Sequence, residues 1–131
     1  MVEVKPITDD RIEYWVKLVN SEYNLSDKNE YSIEYFKRLK PYAELVDNDK
    51  YYVVLLESSD MWGNKELSVI SWYIKPEFRT IKYIMQLQAD IISVAKFKKV
   101  KYIYQGSHLG DKLFKLLGKI GYKTQTMRYE V

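Results

Sequence analysis

A group of polar side chains after the last of three strongly apolar segments has the residue types needed for proton transfer. Tyr104 ends the predicted strand 100–104, and Ser107 and His108 follow closely. Ligand sites of open α/β sheets lie beyond the carboxyl ends of strands, and histidine is the side chain that most readily titrates near neutral pH. We therefore take Tyr104 and His108 as candidate acid or base groups. A loop histidine that only caps a helix is the structural alternative.

Two carboxylates lie at the ends of neighbouring predicted strands. Glu66 precedes the strand 67–74, and Glu57 ends the strand 51–57. Either carboxylate can act as a general base that takes a proton from an amine, and Glu66 is the predicted catalytic one. Acidic residues at strand ends are also common as plain surface groups, so this alternative stays open for both.

The composition excludes several classes of protein. The 131 residues include no cysteine and one histidine, which excludes disulfides, thiolate zinc sites and multi-histidine metal centres. No apolar run approaches the roughly 20 residues of a membrane span, and the N-terminus lacks the apolar region of a signal peptide. The sequence thus predicts one domain over residues 1–131, located in the cytoplasm, with no metal and no membrane contact.

Charge is distributed unevenly along the chain. Residues 75–131 hold twelve basic and four acidic side chains, a formal charge of +8, whereas residues 1–74 hold nine basic and fourteen acidic ones, a charge of −5. A basic half can face the phosphates of a cofactor or of nucleic acid. Only four of the 21 basic residues are arginine, the residue that most often recognises phosphates and bases. Nucleic acid is therefore the weaker alternative as a partner.

The pattern of apolar residues predicts an α/β fold of the α+β kind, with a central mixed sheet flanked by four helices. The predicted strands are 2–7, 51–57, 67–74, 100–104 and 122–131. The predicted helices begin near Asp9, Ser32, Thr80 and Asp111. The element order is β-α-α-β-β-α-β-α-β, and strict alternation in the strand 67–74 places Leu67, Val69, Ser71 and Tyr73 on one face.

The three tryptophans are predicted to differ in role. Trp15 lies on the apolar face of a predicted helix and Trp72 in a strand, so both are expected in the core. Trp62 follows Met61 in a predicted hairpin loop. An exposed pair of large apolar side chains is a candidate contact for a protein partner.

The end of the strand 67–74 reads Ile74-Lys75-Pro76-Glu77-Phe78-Arg79. Together with the element order, this segment resembles the GNAT superfamily, the GCN5-related N-acetyltransferases, which typically have Val/Ile-x-Pro-Glu-x-Arg here. In that family the next loop holds the pyrophosphate of acetyl-CoA at a helix N-terminus. The resemblance implies acetyl-CoA as a cofactor, with the amide of Ile74 or Lys75 polarising the thioester carbonyl where the strands splay. The cofactor-binding residues that it implies are Ile74, Lys75, Arg79, Thr80 and Lys82.

The resemblance has departures in this loop. The glycine or small positions of the family align with Thr80, Lys82 and Ile84. Side chains at these positions crowd a phosphate cradle. Lys82 compensates in part as a charge partner, and Ile84 is predicted to pack into the core.

The segment 111–122 resembles the last helix of the family. Asp111 stands at the place of the family's asparagine and Leu117 at that of its tyrosine acid. Leucine cannot protonate the departing thiolate of CoA, so another residue must do so if the chain is an enzyme. Ser107-His108 with Lys119-Ile120-Gly121 is also similar to degenerate GNAT-like proteins of tailed phages, which suggests a viral origin.

Three functions follow from these observations. The first is a GNAT-fold protein with a degraded cofactor loop that acts as a non-catalytic binding or assembly module, encoded by a phage and present in the host cytoplasm or the virion. Its partner is another protein or a second copy of the chain. The second is a divergent acetyl-CoA-dependent N-acetyltransferase. The third is a small basic nucleic-acid-binding protein.

Overall fold

Five strands form one mixed sheet in the order β1-β2-β3-β4-β5, in a computed structural model that describes residues 2–105 and 111–123. The strands are β1 (Lys5–Pro6), β2 (Ala43–Asp47), β3 (Tyr51–Ser59), β4 (Lys65–Ile74) and β5 (Tyr102–Gln105). The helices are α1 (Asp9–Glu22), α2 (Asn29–Leu39), α3 (Ile81–Lys98) and α4 (Asp111–Ile120). The pairings from β1 to β4 are antiparallel, and β4 pairs with β5 in parallel.

The sheet carries one hydrophobic cluster on each face. Under α3 lie apolar side chains that include Val53, Leu67 and Ile91. On the other face, α1 buries Ile12 and Trp15 against β2, β3 and β4, and α2 covers the same cluster. The alternation of a strand explains both faces, because successive side chains point to opposite sides. Among the described residues, no helix is long and apolar enough to span a bilayer.

A β-bulge in β4 changes which residues share a face. Leu55 of β3 pairs with Val69, but Val54 pairs with Ser71, so Ile70 is the extra residue. Beyond the bulge, Trp72 packs under α3, as Leu67 and Val69 do, whereas Tyr73 joins the cluster under α1. The expectation that Tyr73 shares a face with Leu67 was wrong, because one inserted residue reverses every later side chain.

The predicted fold class is confirmed, with several differences in detail. The strand β2 was not predicted, β1 is shorter than 2–7, and α2 begins at Asn29 rather than near Ser32. The last predicted strand lies almost wholly outside the described residues. Trp15 is buried as expected, and Met61 and Trp62 are exposed in the hairpin between β3 and β4. Trp72 is only half-buried.

Candidate functional site

The strands β4 and β5 run side by side over only part of β4. Their pairing extends from Glu66↔Tyr102 to Val69↔Gln105, whereas β4 continues to Ile74. The bulge at Ile70 follows directly after the last pair. Among the described residues, β4 beyond the bulge pairs with β3 alone and leaves its other edge without a strand partner. We call this opening, between residues 70–74 of β4 and the end of β5, the fork.

The N-terminus of α3 follows β4 after a short 3-10 turn. Thr80 caps the helix, and its hydroxyl accepts a hydrogen bond from the Tyr83 N–H at 3.5 Å. The Ile84 N–H makes the first helical bond, to the Thr80 carbonyl at 3.0 Å. The amides of Ile81 and Lys82 therefore have no acceptor within the helix. The first turn holds no acidic residue, so its positive end is open to an anion.

Two lysines lie beside this first turn. The Lys50 Nζ is 5.4 Å from the ring centroid of Tyr83 and 5.9 Å from that of Phe78. The exposed Lys82 places its Nζ 5.4 Å from the Tyr83 ring. A cation at a helix N-terminus destabilises the helix by about 0.3–1 kcal/mol, because the two positive charges repel, unless a bound anion lies between them. The arrangement therefore suits a bound anion such as phosphate.

Lys50 was missed by sequence reasoning, and no sequence motif marks it. It precedes β3, and the pairing Tyr51↔Ile74 brings the start of β3 to the end of β4. The Lys50 carbonyl also accepts a hydrogen bond from the Lys75 N–H at 3.0 Å. Only this long-range pairing connects Lys50 with α3, so a local pattern cannot reveal it.

The side chain of Lys75, a predicted cofactor residue, points towards α1 instead of α3. The Lys75 Nζ lies 5.3 Å from the ring centroid of Tyr14 and 5.6 Å from that of Trp15. Because the Lys75 N–H bonds to Lys50, this amide is already engaged. A role for Lys75 in polarising a thioester would require that bond to open, and it stays a prediction.

Arg79 is held at both ends of its guanidinium. Its Nε donates to the Ile74 carbonyl at 2.9 Å, and its Nη2 donates to Glu22 at 2.6 Å. The hydrogen bond from Arg79 lowers the pKa of Glu22 below its ordinary value of 4.5. Arg79 thus joins α1 to the turn before α3, and its predicted contact with phosphate stays a prediction.

The remaining predicted cofactor residues divide between the core and the surface. Ile74 is 2% exposed and packs under α3. Thr80 and Lys82 are exposed at the start of α3. Ile84, which replaces a small residue of the family pattern, packs against the cluster under α3 as predicted. Its side chain is therefore half-buried against the core.

The candidate base and one candidate acid share the sheet face opposite α3. Glu66 pairs with Tyr102, and Ser68 pairs with Tyr104, so Glu66 and Tyr104 are diagonal neighbours. Partial burial and the carboxylate of Glu66 raise the pKa of Tyr104 above its ordinary value of 10.0. His108 and Ser107 lie outside the described residues.

A polar cluster lies at the fork on the face of α3. Gln88 of α3 is 1% exposed and exchanges hydrogen bonds of 2.7 and 3.4 Å with Gln105, the last residue of β5. The Tyr122 hydroxyl and the Trp72 indole N–H are buried and have no hydrogen-bond partner among the described residues.

Two further observations concern the general acid and the binding of a metal ion. Leu117, at the place of the family's tyrosine acid, is 4% exposed and apolar. The described part of the chain contains no group of acidic, histidine or cysteine side chains arranged to bind a metal ion.

Comparison with known proteins relates the chain to acetyltransferases through its fold. No family model matches the sequence, and no curated protein matches it. An acetyltransferase of Trypanosoma brucei superposes with a TM-score of 0.72 at 9% identity, over 100% of this chain and 99% of that one. A ribosomal-protein-alanine N-acetyltransferase of Brucella melitensis superposes with a TM-score of 0.72 at 13% identity, over 99% of each chain.

A third solved structure was determined with acetyl-CoA. It is a predicted acetyltransferase of Clostridium acetobutylicum, with a TM-score of 0.68 and 13% identity, over 100% of this chain and 96% of that one. At these identities the likeness establishes the fold alone. The chain therefore has a GNAT-like fold, that of the acetyltransferases with which it superposes over its whole length.

Proposed function

We propose that the protein binds acetyl-CoA at the fork and is an N-acetyltransferase. The observation that carries this proposal is the position of two free amides, those of Ile81 and Lys82, at the fork end of α3 with Lys50 beside them. Free helix amides with flanking cations are suited to a pyrophosphate. Acetyl-CoA supplies a thioester whose acetyl group an amine can take.

The fork also fits the rest of the cofactor. The open edge of β4 offers backbone donors and acceptors to an extended chain that contains amides, in the manner of an added strand. The indole N–H of Trp72 is a further donor on this strand, without a hydrogen-bond partner among residues 2–105 and 111–123. Residues Ile74, Lys75, Arg79, Thr80 and Lys82 surround the same end of β4, and we keep Thr80 and Lys82 as direct contacts.

The opposite sheet face is the proposed side for the amine. Glu66 on that face is four residues before the bulge, about 13 Å along the strand, so a chain of water molecules carries to it the proton that the amine loses. Tyr104, its diagonal neighbour, helps to orient the acceptor. His108 stays a proposed acid or base on sequence grounds. We place the amine on this side because the carboxylate of Glu66 attracts a cationic amine.

Calorimetric titration with acetyl-CoA and with CoA tests the proposal. We expect micromolar binding to the unaltered protein. The double variant Lys50→Ala/Lys82→Ala should bind about tenfold or more weakly, a loss of about 1.4 kcal/mol. The control variant Lys37→Ala/Lys96→Ala removes the same charge at exposed positions away from the fork and should bind within about twofold of the unaltered protein. Failure to bind millimolar acetyl-CoA contradicts the proposal.

The second candidate function is that of a non-catalytic binding or assembly module encoded by a phage. The observation that favours it is the exposed hairpin tip, where Met61 is 85% and Trp62 78% exposed. The Asp60 carboxylate holds this tip by accepting hydrogen bonds from the Trp62 and Asn64 amides, each at 2.9 Å. The proposed partner is another copy of the chain or a different protein.

Sedimentation analysis tests the second candidate. Concentration-dependent dimers that Trp62→Ser abolishes, in a chain that does not bind acetyl-CoA, support it. A monomer at all concentrations that binds acetyl-CoA contradicts it. Nucleic-acid binding by the basic half is the remaining alternative, and it requires an affinity that falls steeply with salt. The cytoplasmic or virion location stays a prediction.

A further inference from the structure

A cavity of about 140 Å³ lies between the sheet and the two helices α1 and α2. Three side chains in a row across neighbouring strands form its floor, since Leu45 pairs with Val54 and Val54 pairs with Ser71. Tyr52, two residues before Val54 on β3, extends this floor. All four side chains face α1, so the cavity and the N-terminus of α3 lie on opposite faces of the sheet.

The two helices cover the cavity unequally. From α1 come Ile12 and Val16, each of which is 5% exposed. From α2 come Ser32 and Phe36, which are only half-buried. None of the eleven residues of α2, all of them described by the structure, is fully buried, whereas a helix packed tightly on a sheet buries its apolar stripe. The α2 side is therefore the loosely packed side of the cavity, through which a small molecule can enter.

Two pairs of polar side chains in the cavity wall are hydrogen-bonded to each other. The hydroxyls of Tyr52 and Ser71 share a bond of 2.7 Å, and the side-chain amide of Asn20 donates to the Ser32 hydroxyl at 3.2 Å. A buried water needs about two to four polar partners, and these groups already use part of their capacity on one another. Most of the remaining wall is aliphatic or aromatic, so it favours an apolar molecule over water.

Arg11 also lies in the wall, and two acidic side chains neutralise it. Its Nε is 2.6 Å from the Asp47 carboxylate, and its Nη2 is 2.5 Å from that of Asp49. Burial raises the pKa of Tyr52 above its ordinary value of 10.0, although the hydrogen bond with Ser71 opposes this effect. The surroundings of Tyr52 thus disfavour a negative charge. A neutral molecule fits this wall better than an ion.

The volume of the cavity sets the size of that molecule. A cavity of about 150 Å³ lined by Leu, Ile and Phe side chains binds benzene, so about 140 Å³ admits one six-membered ring. Trp15, Phe36 and Tyr52 are in the wall, and aromatic side chains pack well against the edge or face of another ring.

We propose that this cavity binds a neutral molecule with one aromatic ring and at most one hydroxyl group, of which phenol is the simplest example. The ring lies among the apolar side chains of α1, α2 and the sheet. The Tyr52–Ser71 pair bonds to the hydroxyl, since each of these oxygens can both donate and accept. Binding here does not depend on acetyl-CoA, because the cavity is on the sheet face opposite α3.

NMR of the methyl-labelled protein, with phenol as the probe, tests the proposal. We expect saturable binding with a Kd below about 1 mM and shifts of the methyl signals of Ile12, Val16 and Val54 in the cavity wall. The methyl groups of Leu87 and Ile91, buried under α3, are the internal control and should not shift. Equal shifts in both sets, or no saturation at about 10 mM phenol, tenfold above that Kd, overturn the proposal.

The variant Val19→Phe fills the cavity from α1. Val19 is half-buried in the cavity wall, and a benzyl side chain there takes the space that the ring of phenol needs. We expect phenol to bind about tenfold or more weakly. The control Lys17→Phe adds the same ring at an exposed position of the same helix, and should bind phenol within about twofold of the unaltered protein. Equal affinity of Val19→Phe and the unaltered protein for phenol overturns the proposal.

The variant Val54→Ala keeps the proposal testable even if Val19→Phe does not fold. It removes two carbon atoms from the cavity floor, and 4-ethylphenol carries two more carbon atoms than phenol. We expect the ratio of the phenol Kd to the 4-ethylphenol Kd to rise about tenfold from the unaltered protein to Val54→Ala, because the ethyl group fills the space that the substitution opens. An unchanged ratio overturns the proposal.

Discussion

The guanidinium of Arg79 joins the last turn of α1 to the end of β4. Its Nη2 is 2.6 Å from the Glu22 carboxylate, and its Nε is 2.9 Å from the Ile74 carbonyl. The side chain of Glu22 is 23% exposed and that of Arg79 38%, so solvent screens the pair in part. This contact sets the position of the helix end relative to the fork, although the same arginine resembles a cofactor ligand in the sequence.

We expect Arg79→Gln and Glu22→Gln each to lower the free energy of unfolding by about 1 kcal/mol, because either change breaks a partly exposed ion pair. The free energy of unfolding of the double variant should fall by less than the sum of the two single losses, because both single variants remove the same interaction. Urea unfolding at neutral pH measures all four proteins.

Calorimetry with acetyl-CoA provides the control for this pair. If Arg79 only positions the turn, Glu22→Gln and Arg79→Gln should weaken acetyl-CoA binding to a similar extent. A loss confined to Arg79→Gln, with additive stabilities, would instead assign Arg79 to the phosphates.

The carboxylate of Asp47 is the centre of a second contact between α1 and the sheet. It accepts hydrogen bonds from the Arg11 Nε at 2.6 Å and the Trp15 Nε1 at 3.0 Å, and its side chain is 5% exposed. We expect Asp47→Asn to lower the free energy of unfolding by about 2–4 kcal/mol, because it leaves Arg11 without a buried partner. Asp49→Asn, at a 73% exposed carboxylate, is the matched control and should cost under about 1 kcal/mol.

Acid should remove the contribution of Asp47 to the free energy of unfolding. Burial alone would raise its pKa, but the hydrogen bonds from Arg11 and Trp15 outweigh that effect and hold the pKa below its ordinary value of 3.8. The folded state therefore gains stability from this group above pH 3.8, and loses it as the pH falls through the lowered pKa. The unaltered protein and Asp47→Asn should converge in stability at the acid end of an unfolding series. A constant difference across that range would contradict this account.

Two of the three departures from the family's glycine pattern, Lys82 and Ile84, should behave differently when glycine is introduced. Lys82 is exposed in the first turn of α3, so Lys82→Gly should cost about 1 kcal/mol through helix propensity. Ile84 is half-buried against the core, so Ile84→Gly should cost more, about 2–4 kcal/mol. Thermal unfolding measures both. Lys82→Gly should also weaken acetyl-CoA binding, and tighter binding would show that the lysine obstructs the cofactor.

The fold was largely predictable because its strongest signals are local. The segments YYVVLLE and LSVISWYI are rich in β-branched and aromatic residues, and both form strands. The strand β2 was missed because its five residues include Glu44 and Asp47, and such a short, partly charged segment has little pattern. The bulge at Ile70 was missed because it depends on the pairing with β3 and leaves no mark in β4 itself.

The candidate site was less predictable because its members meet only after folding. Thr80 could be predicted as the cap of α3 from its place before the apolar helix. Lys50 reaches the same helix through strand pairing, and the orientation of Lys75 towards Trp15 depends on how α1 packs. The burial of the Tyr122 hydroxyl depends on tertiary packing. None of these three relationships has a spacing that a sequence pattern can express.

The buried contact between Tyr51 and Asp90 gives the last prediction. Tyr51 is fully buried, and its hydroxyl donates to the Asp90 carboxylate of α3. Tyr51→Phe should lower the free energy of unfolding by about 1–3 kcal/mol, because it removes one partner of a charged hydrogen bond. Tyr31→Phe, at a 77% exposed position, is the control and should have no effect.

The stabilities of the two variants should depend differently on pH in alkaline solution. Burial, with the Asp90 carboxylate, raises the pKa of Tyr51 above its ordinary value of 10.0. The contribution of Tyr51 is therefore fully present below pH 10.0 and is lost as the pH rises above it towards the raised pKa. Alkaline unfolding of Tyr51→Phe should thus depend less steeply on pH than that of Tyr31→Phe. Equal slopes for the two variants would mean that Tyr51 ionises alike in the folded and unfolded chains, and that the contact with Asp90 does not govern it.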